Sequence, residues 1–273
     1  MNGAGNDFIV VDNRFYHFSE VELSDLAVRY CPRRTGIGAD GVLAFALPDA
    51  PKHDFRMLYF NADGSRGTMC GNGARCLARF ARTAGIKAEP LNFETDAGVY
   101  RATVTENGPV RLYVRPPRRF SRGISLEQPQ ASVLGEGAYI WTGVEHVVFF
   151  VDEVDSVPVG EWGPPIRLDR ALLPTGANVN FVQVLSDGAG DTPASLRVRT
   201  YEKGVEEETL ACGTGAIASA VVAGLVGRVR SSPVAVHMPG GRLDVGFEAV
   251  DGSAENVYLE GPAETVYRGT IYL

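Results

Sequence analysis

The sequence predicts an α/β protein of two similar units, and three observations predict it. Segments of β-rich and helical pattern alternate along the chain. The string Cys-Gly-x-Gly-Ala occurs twice, at Cys70 in "MCGNGARC" and at Cys212 in "ACGTGAIASA", each time opening a small-residue stretch of helical spacing. The surroundings repeat too: Asn61 stands nine residues before the first thiol and Glu202 ten before the second, while Gly98 follows by 28 residues and Gly241 by 29. Together these read as an internal duplication giving two units that face each other. A chain of 273 residues is long enough for two domains of ordinary size.

Element by element, "DFIVVD" is β-rich, and Ser19 with Glu22 forms a capping-box pattern opening a helix through "LAVRYC". "GVLAFAL" and "FRMLYFN" read as strands. After Cys70, the spacing of Ala74, Leu77, Ala78 and Ala81 predicts a helix from Asn72 to Ala84, with Gly85 as its stop signal. "LNFETD", "VYRATVTE" and "VRLYV", separated by Ala97-Gly98 and Asn107-Gly108, predict an antiparallel meander. From "RPPRRF" to about Gly137 the chain reads as a polar connection. The second half repeats the plan: "SLRVRTYE" as a strand, "CGTGAIASAVVAGLVG" as a helix, then "VAVHM" and "RLDVGFE" as a hairpin across Gly240-Gly241. That helix is apolar on nearly every side, which places it inside its domain.

The chemistry starts from the thiols. The first turn of a helix offers amide N–H groups without helical partners and the positive end of the dipole, so it attracts anions and favours thiolate over thiol. Gly71, Gly73, Gly213 and Gly215 allow a carboxylate close to those amides. Two such sites across a cleft suit stereoinversion: one sulfur removes the α-proton and the other protonates the opposite face. Preorganised N–H groups must then stabilise the carbanion, since nothing in the sequence calls for an organic cofactor or a metal.

Other chemistries fit less well. The net charge of -7 is a poor footprint for nucleic acid, and no apolar run approaches the length of a membrane span. The partner expected is a small-molecule amino acid; a homodimer is left open. The N-terminal residues lack a secretory pattern, which points to the cytoplasm, where Cys31, Cys70, Cys76 and Cys212 are expected as free thiols. Cys70 and Cys76 lack zinc-ligand spacing. "GIGADG" at Gly36 matches a dinucleotide fingerprint but lacks the strand before it and the helix after it. With only Lys52, Lys87 and Lys203, a Schiff-base lysine in a phosphate-binding context is missing.

Blocks along nearly the whole chain carry a resemblance: "GAGNDFIVVD", "GIGADG", "FNADGS", "MCGNGARC", "NVNFVQV", "YEKGVEEETLACGTGA" and "LEGPAETVYRG". In content and order they resemble the diaminopimelate epimerase family, cofactor-independent enzymes that interconvert LL- and meso-diaminopimelate in bacterial lysine and peptidoglycan-precursor synthesis. The resemblance implies two pseudo-symmetric α/β domains, each a curved, mostly antiparallel sheet wrapped around a central helix. The first domain would span 1–116 with a returning strand at 262–273, and the second 117–261.

By motif, the resemblance makes Cys70 and Cys212 the base pair and gives the carboxylate cradle to the amides of Gly71, Asn72, Gly213 and Thr214. Asn6, Asn61, Asn178, Glu202 and Lys203 would bind substrate, and His146 and Glu202 would assist the thiols. Taken by residue type alone, an Asn in a turn also serves as a backbone cap, and His146 at a strand start also serves structure. Two departures concern substrate recognition: the family's Gly-Asn-Pro-His is Gly143, Val144, Glu145 and His146 here, and its Arg after the Glu is Lys203, which lacks the bidentate fork. The alternatives are a related cofactor-independent racemase of another amino acid and, from another class, a thiol redox protein.

Overall fold

In the computed structural model, which describes residues 1–272, the first unit comprises Met1–Tyr113 and the residues from Glu260 onward. β1 (Asn2–Gly3) pairs antiparallel with β2 (Asn6–Asp12), and α1 (Asn13–Tyr16) and α2 (Glu20–Tyr30) follow. α2 supplies the crossover that lets β3 (Gly41–Ala46) run parallel to β2. It starts where expected: the Ser19 hydroxyl accepts from the Glu22 amide while the Glu22 carboxylate accepts from the Ser19 amide. Its buried face, Leu23, Leu26 and Ala27, packs on Val42, Ala44 and Phe60.

β4 (Phe55–Asn61) lies antiparallel to β3, and β5 (Arg66–Gly67) antiparallel to β4. α3 (Gly71–Thr83) then leads to β6 (Leu91–Thr95), parallel to β4. β7 (Gly98–Val104) and β8 (Val110–Tyr113) complete the expected meander. α3 begins and ends one residue before the predicted span, because Cys70 takes the N-cap and Ala84 the C-cap, with Gly85 behind it at a φ of 94°.

The second unit, Val114–Leu259, opens with β9 (Arg118–Ile124), antiparallel to β10 (Gly137–Trp141), and α4 (Pro129–Leu134) lies between them. The expected polar connection therefore contains a strand. β9 is "RRFSRGI", mostly exposed, so it lacks the apolar alternation by which a half-buried strand is read.

β11 (Glu145–Phe150) pairs antiparallel with β10, α5 (Val159–Arg167) follows, and β12 (Asn178–Ser186) runs parallel to β11. β13 (Ser195–Glu202) and β14 (Glu207–Thr209) add antiparallel strands. α6 (Gly213–Leu225) leads to β15 (Val234–Met238), parallel to β13, and β16 (Gly241–Val250) turns back along it. β17 (Ser253–Gly261) closes the series. α6 buries residues all round, as its composition requires, and α5 closes a separate core of Val147, Phe149, Val179, Phe181, Ile166 and Tyr201.

The duplication reaches the level of pairing. The sequence of pairings from β1 to β7 (antiparallel, parallel, antiparallel, antiparallel, parallel, antiparallel) recurs from β10 to β16, with a 13-residue helix at the same point in each. Of the expected final strand at 262–273, the first unit shows a single antiparallel bridge between Asn2 and Glu264, just past Pro262, which has no N–H to donate; Leu273 lies outside the described residues.

Candidate active site

Each unit presents one of the two thiols at the N-cap of its central helix. Cys70 has extended backbone (φ -136°, ψ 119°), as does Cys212 (φ -116°, ψ 103°), and neither side chain caps its helix. The first helical bonds run from Ala74 N to Cys70 O (2.8 Å) and from Ala216 N to Cys212 O (2.9 Å). The amides of Gly71 and Asn72, and of Gly213 and Thr214, thus have no partner inside their helices. They are donors of the kind that bind a carboxylate.

In the first unit, the expected ligands Asn6 and Asn72 share one network. Asn72 Nδ2 donates to Asn6 Oδ1, Asn6 Nδ2 donates to Asp40 Oδ2 (3.0 Å), and Asn72 Oδ1 accepts from Arg75 Nη2 (2.7 Å). Asn61, at the end of β4, accepts from Tyr59 Oη (2.6 Å) and donates to Ser65 Oγ (2.9 Å). Asn6 and Asn61 are half-buried, and each amide nitrogen keeps one N–H beyond the bond named. Of the other thiols here, burial pushes Cys76 up to about 12 and Cys31 up to about 11, so both stay protonated.

In the second unit, strand ends and the helix start converge. Asn178 Nδ2 donates to Glu145 O (2.9 Å), and Asn178 Oδ1 accepts from Lys203 N (2.8 Å). Lys203 Nζ pairs with Glu145 Oε2 at 2.7 Å. Thr142 Oγ1 donates to Thr214 O (3.0 Å), tying the β10–β11 turn to the first turn of α6. Glu202, largely buried at the end of β13, accepts from Thr209 Oγ1 (2.8 Å) and hydrogen-bonds the Cys212 thiol. Burial raises its carboxyl above the usual range, against the opposing effect of those two bonds.

His146 is fully buried, and burial pulls its pKa down to about 3. Its Nδ1 lies 3.0 Å from Asn180 Nδ2; Asn180 Oδ1 accepts from Thr200 Oγ1 (3.0 Å), and Asn180 Nδ2 also donates to Val147 O (3.0 Å). Nδ1 is therefore the acceptor, and the proton of the neutral ring sits on Nε2. A Cβ built on Gly215 would stand 2.6 Å from Asn180 Oδ1 and 3.2 Å from Cys212 Sγ, so α6 can bring its thiol beside this network only because residue 215 has no side chain.

Sequence reasoning missed Asn180, Thr200, Thr209 and Arg75. Asn180 sits inside an apolar run, and its alternation with Val179 and Phe181 could have marked it as an inward-facing amide. Pairing register shows how far the duplicated halves have diverged: Phe8, Gly41 and Asn61 in the first unit occupy the positions of His146, Asn178 and Glu202 in the second.

A family model described as diaminopimelate epimerase matches residues 1–119 and 138–266. The chain belongs to the diaminopimelate epimerase family. The family's relatives include the diaminopimelate epimerase of Chlorobaculum tepidum, 43% identical with both chains fully covered, and that of Aquifex aeolicus, 42% identical over 99% of this chain and 96% of its own. Like other members of the family, this chain is an isomerase of the epimerase class.

Among solved structures, a phenazine biosynthesis protein of the PhzF family from Bacillus anthracis superposes with a TM-score of 0.67 at 18% identity, covering 96% of this chain and 91% of that one. A probable proline racemase from Agrobacterium radiobacter K84 superposes at 0.65 and 17%, covering 100% and 91%. These likenesses identify the fold: two pseudo-symmetric α/β halves, each with its sheet wrapped around a helix.

Proposed function

We propose that this chain interconverts LL- and meso-diaminopimelate in the cytoplasm, with Cys70 and Cys212 as the two proton carriers. The observation that carries the reading is the matched pair of helix N-caps, each a cysteine beside amides that lack helical partners. Inversion at a C–H centre requires a base on one face and an acid on the other, and the duplicated chain supplies two thiols of like local structure. The amides of Gly71, Asn72, Gly213 and Thr214 hold the α-carboxylate, where they stabilise the charge that develops when the proton leaves. Asn6, Asn61, Asn178 and Lys203 orient the rest of the substrate. Glu202 exchanges a proton with Cys212. His146, neutral and fully buried, holds its place through Asn180.

The test is epimerisation in deuterium oxide followed by NMR. Two separate carriers place solvent deuterium in the product early, while recovered substrate stays protiated. Cys70→Ser and Cys212→Ser each abolish inversion. Undiminished inversion in either variant, or early label in the recovered substrate, overturns the two-thiol reading.

A second reading, a racemase of another amino acid, draws on one observation: Val144, at the Asn of the family pattern Gly-Asn-Pro-His, is 37% exposed and apolar, and Lys203 is already paired with Glu145. Rates on diaminopimelate against single-centre amino acids separate the two.

A further inference from the structure

Arg75 lies one turn into α3, fully buried, with no carboxylate among the described residues pairing with it. Its bonds go to neutral acceptors: Nη2 to Asn72 Oδ1 at 2.7 Å and Nη1 to Gly71 O at 3.5 Å, while Nε has no partner. A guanidinium held in apolar surroundings without a counter-ion is strongly unfavourable, so an anion is expected close by. Burial disfavours its charge, and the ionisable groups whose negative charge would favour it are the sulfurs of Cys76 and, to a lesser degree, Cys70. Cys76 stays protonated, and the bonds to Gly71 O and Asn72 Oδ1 turn the guanidinium back toward the first turn of α3, where Cys70 is the N-cap, which leaves Cys70.

Charged groups on the elements packed against α3 are already engaged. On β2, Asp7 pairs with Arg33 and Asp12 with Arg14. On β4, Arg56 pairs with Asp49 and Asp96; Arg101 of β7 lies over the Tyr113 ring of β8, and Arg111 of β8 pairs with Glu260. The N-terminal ammonium ahead of β1 donates to Phe8 O at 2.7 Å and bears on Cys76. The corresponding residue of α6, five past Cys212, is the apolar Ile217, and there the thiol has the Glu202 carboxyl instead.

We propose that Arg75 is a positioning residue whose buried charge makes Cys70 the thiolate of the resting enzyme, so that Cys70 rests as the base and Cys212 as the acid. In the free enzyme the Cys70 proton passes to solvent, and the thiolate is the counter-ion of the guanidinium. This rests on the reading of Cys70 as a proton carrier, and the hydrogen bond to Asn72 joins the same side chain to the carboxylate cradle.

The experiment is the pH dependence of iodoacetamide alkylation at Cys70, read by mass spectrometry of its peptide in a Cys212→Ser background. With Arg75 in place the midpoint lies below the ~8.5 of free cysteine. Arg75→Lys, which keeps the charge, retains a low midpoint. Arg75→Met and Arg75→Gln raise it by about 1 pH unit or more. A midpoint of ~8.5 or above with Arg75 present overturns the proposal, as does an unchanged midpoint in whichever neutral variant shows native circular dichroism. Alkylation needs no turnover: a shifted midpoint without exchange on diaminopimelate keeps Arg75 in its role and removes the proposed substrate.

Discussion

Glu202 and His146 answer burial in opposite ways. The Glu202 carboxyl keeps its proton to higher pH than an exposed glutamate, while the His146 ring loses its own and is neutral above about 3. A carboxyl tuned upward beside a thiol suits proton exchange, and a ring that stays neutral across the working pH range suits scaffolding. Glu202→Gln is expected to lower kcat/KM by about 10²–10⁴-fold. The loss is equal in both directions because the equilibrium constant is fixed, and progress curves from LL- and from meso-diaminopimelate check it. For His146, nitrogen NMR is expected to show the Nε2–H neutral tautomer unchanged from about pH 5 to 8; a titration in that range refutes the assignment. The two thiols were legible in the sequence because a repeated string with repeated offsets is hard to obtain from packing alone. Arg75 was not, because Arg75, Arg79 and Arg82 share helical spacing and read as one solvated basic face, and Asn180 was passed over although it alternates with Val179 and Phe181.

The helices that carry the thiols were legible almost to the residue, since Cys-Gly-x-Gly-Ala marks the start of both, helical spacing gives α3 its apolar face, and an apolar composition on every side places α6 inside its unit. β9 and α5 escaped, one because its strand is basic and exposed, the other because Pro164 and Pro165 sit inside it and read as breakers. Gly215 is where helix geometry and chemistry meet. Gly215→Ala forces its Cβ against Asn180 Oδ1, Cys212 Sγ and Thr200 Oγ1, and is expected to destabilise the protein by about 1–3 kcal/mol. Turnover falls further than that loss of stability explains; thermal melts alongside kcat separate the two.

Across the whole molecule, the two units keep one topology while their chemistry has diverged, and the topology is the part that patterning predicts. Pairing partners such as Phe8 with Gly41, against His146 with Asn178, are set by register, which offsets between motifs do not specify. Global stability has its own pH signature. Glu94 accepts from the Asp49 and Ala50 amides and sits 2.6 Å from His53 Nδ1, which holds it down at about 2. Its folded value lies below its unfolded one, so its contribution is full above about 4.5 and fades as the pH falls toward about 2. Melting temperature is expected to drop over that interval. Glu94→Gln lowers it at neutral pH and flattens the acid limb.

α6 is enclosed on every side and bears its sulfur at one tip. Most enzymes mount their reactive groups on peripheral loops, where the interior can drift without disturbing them. Here an added methyl midway along the rod has nowhere to go but lengthwise or outward, and either displacement is felt at Cys212. Adaptation of such a protein is therefore confined to its skin, and its interior should be the slowest part of it to change.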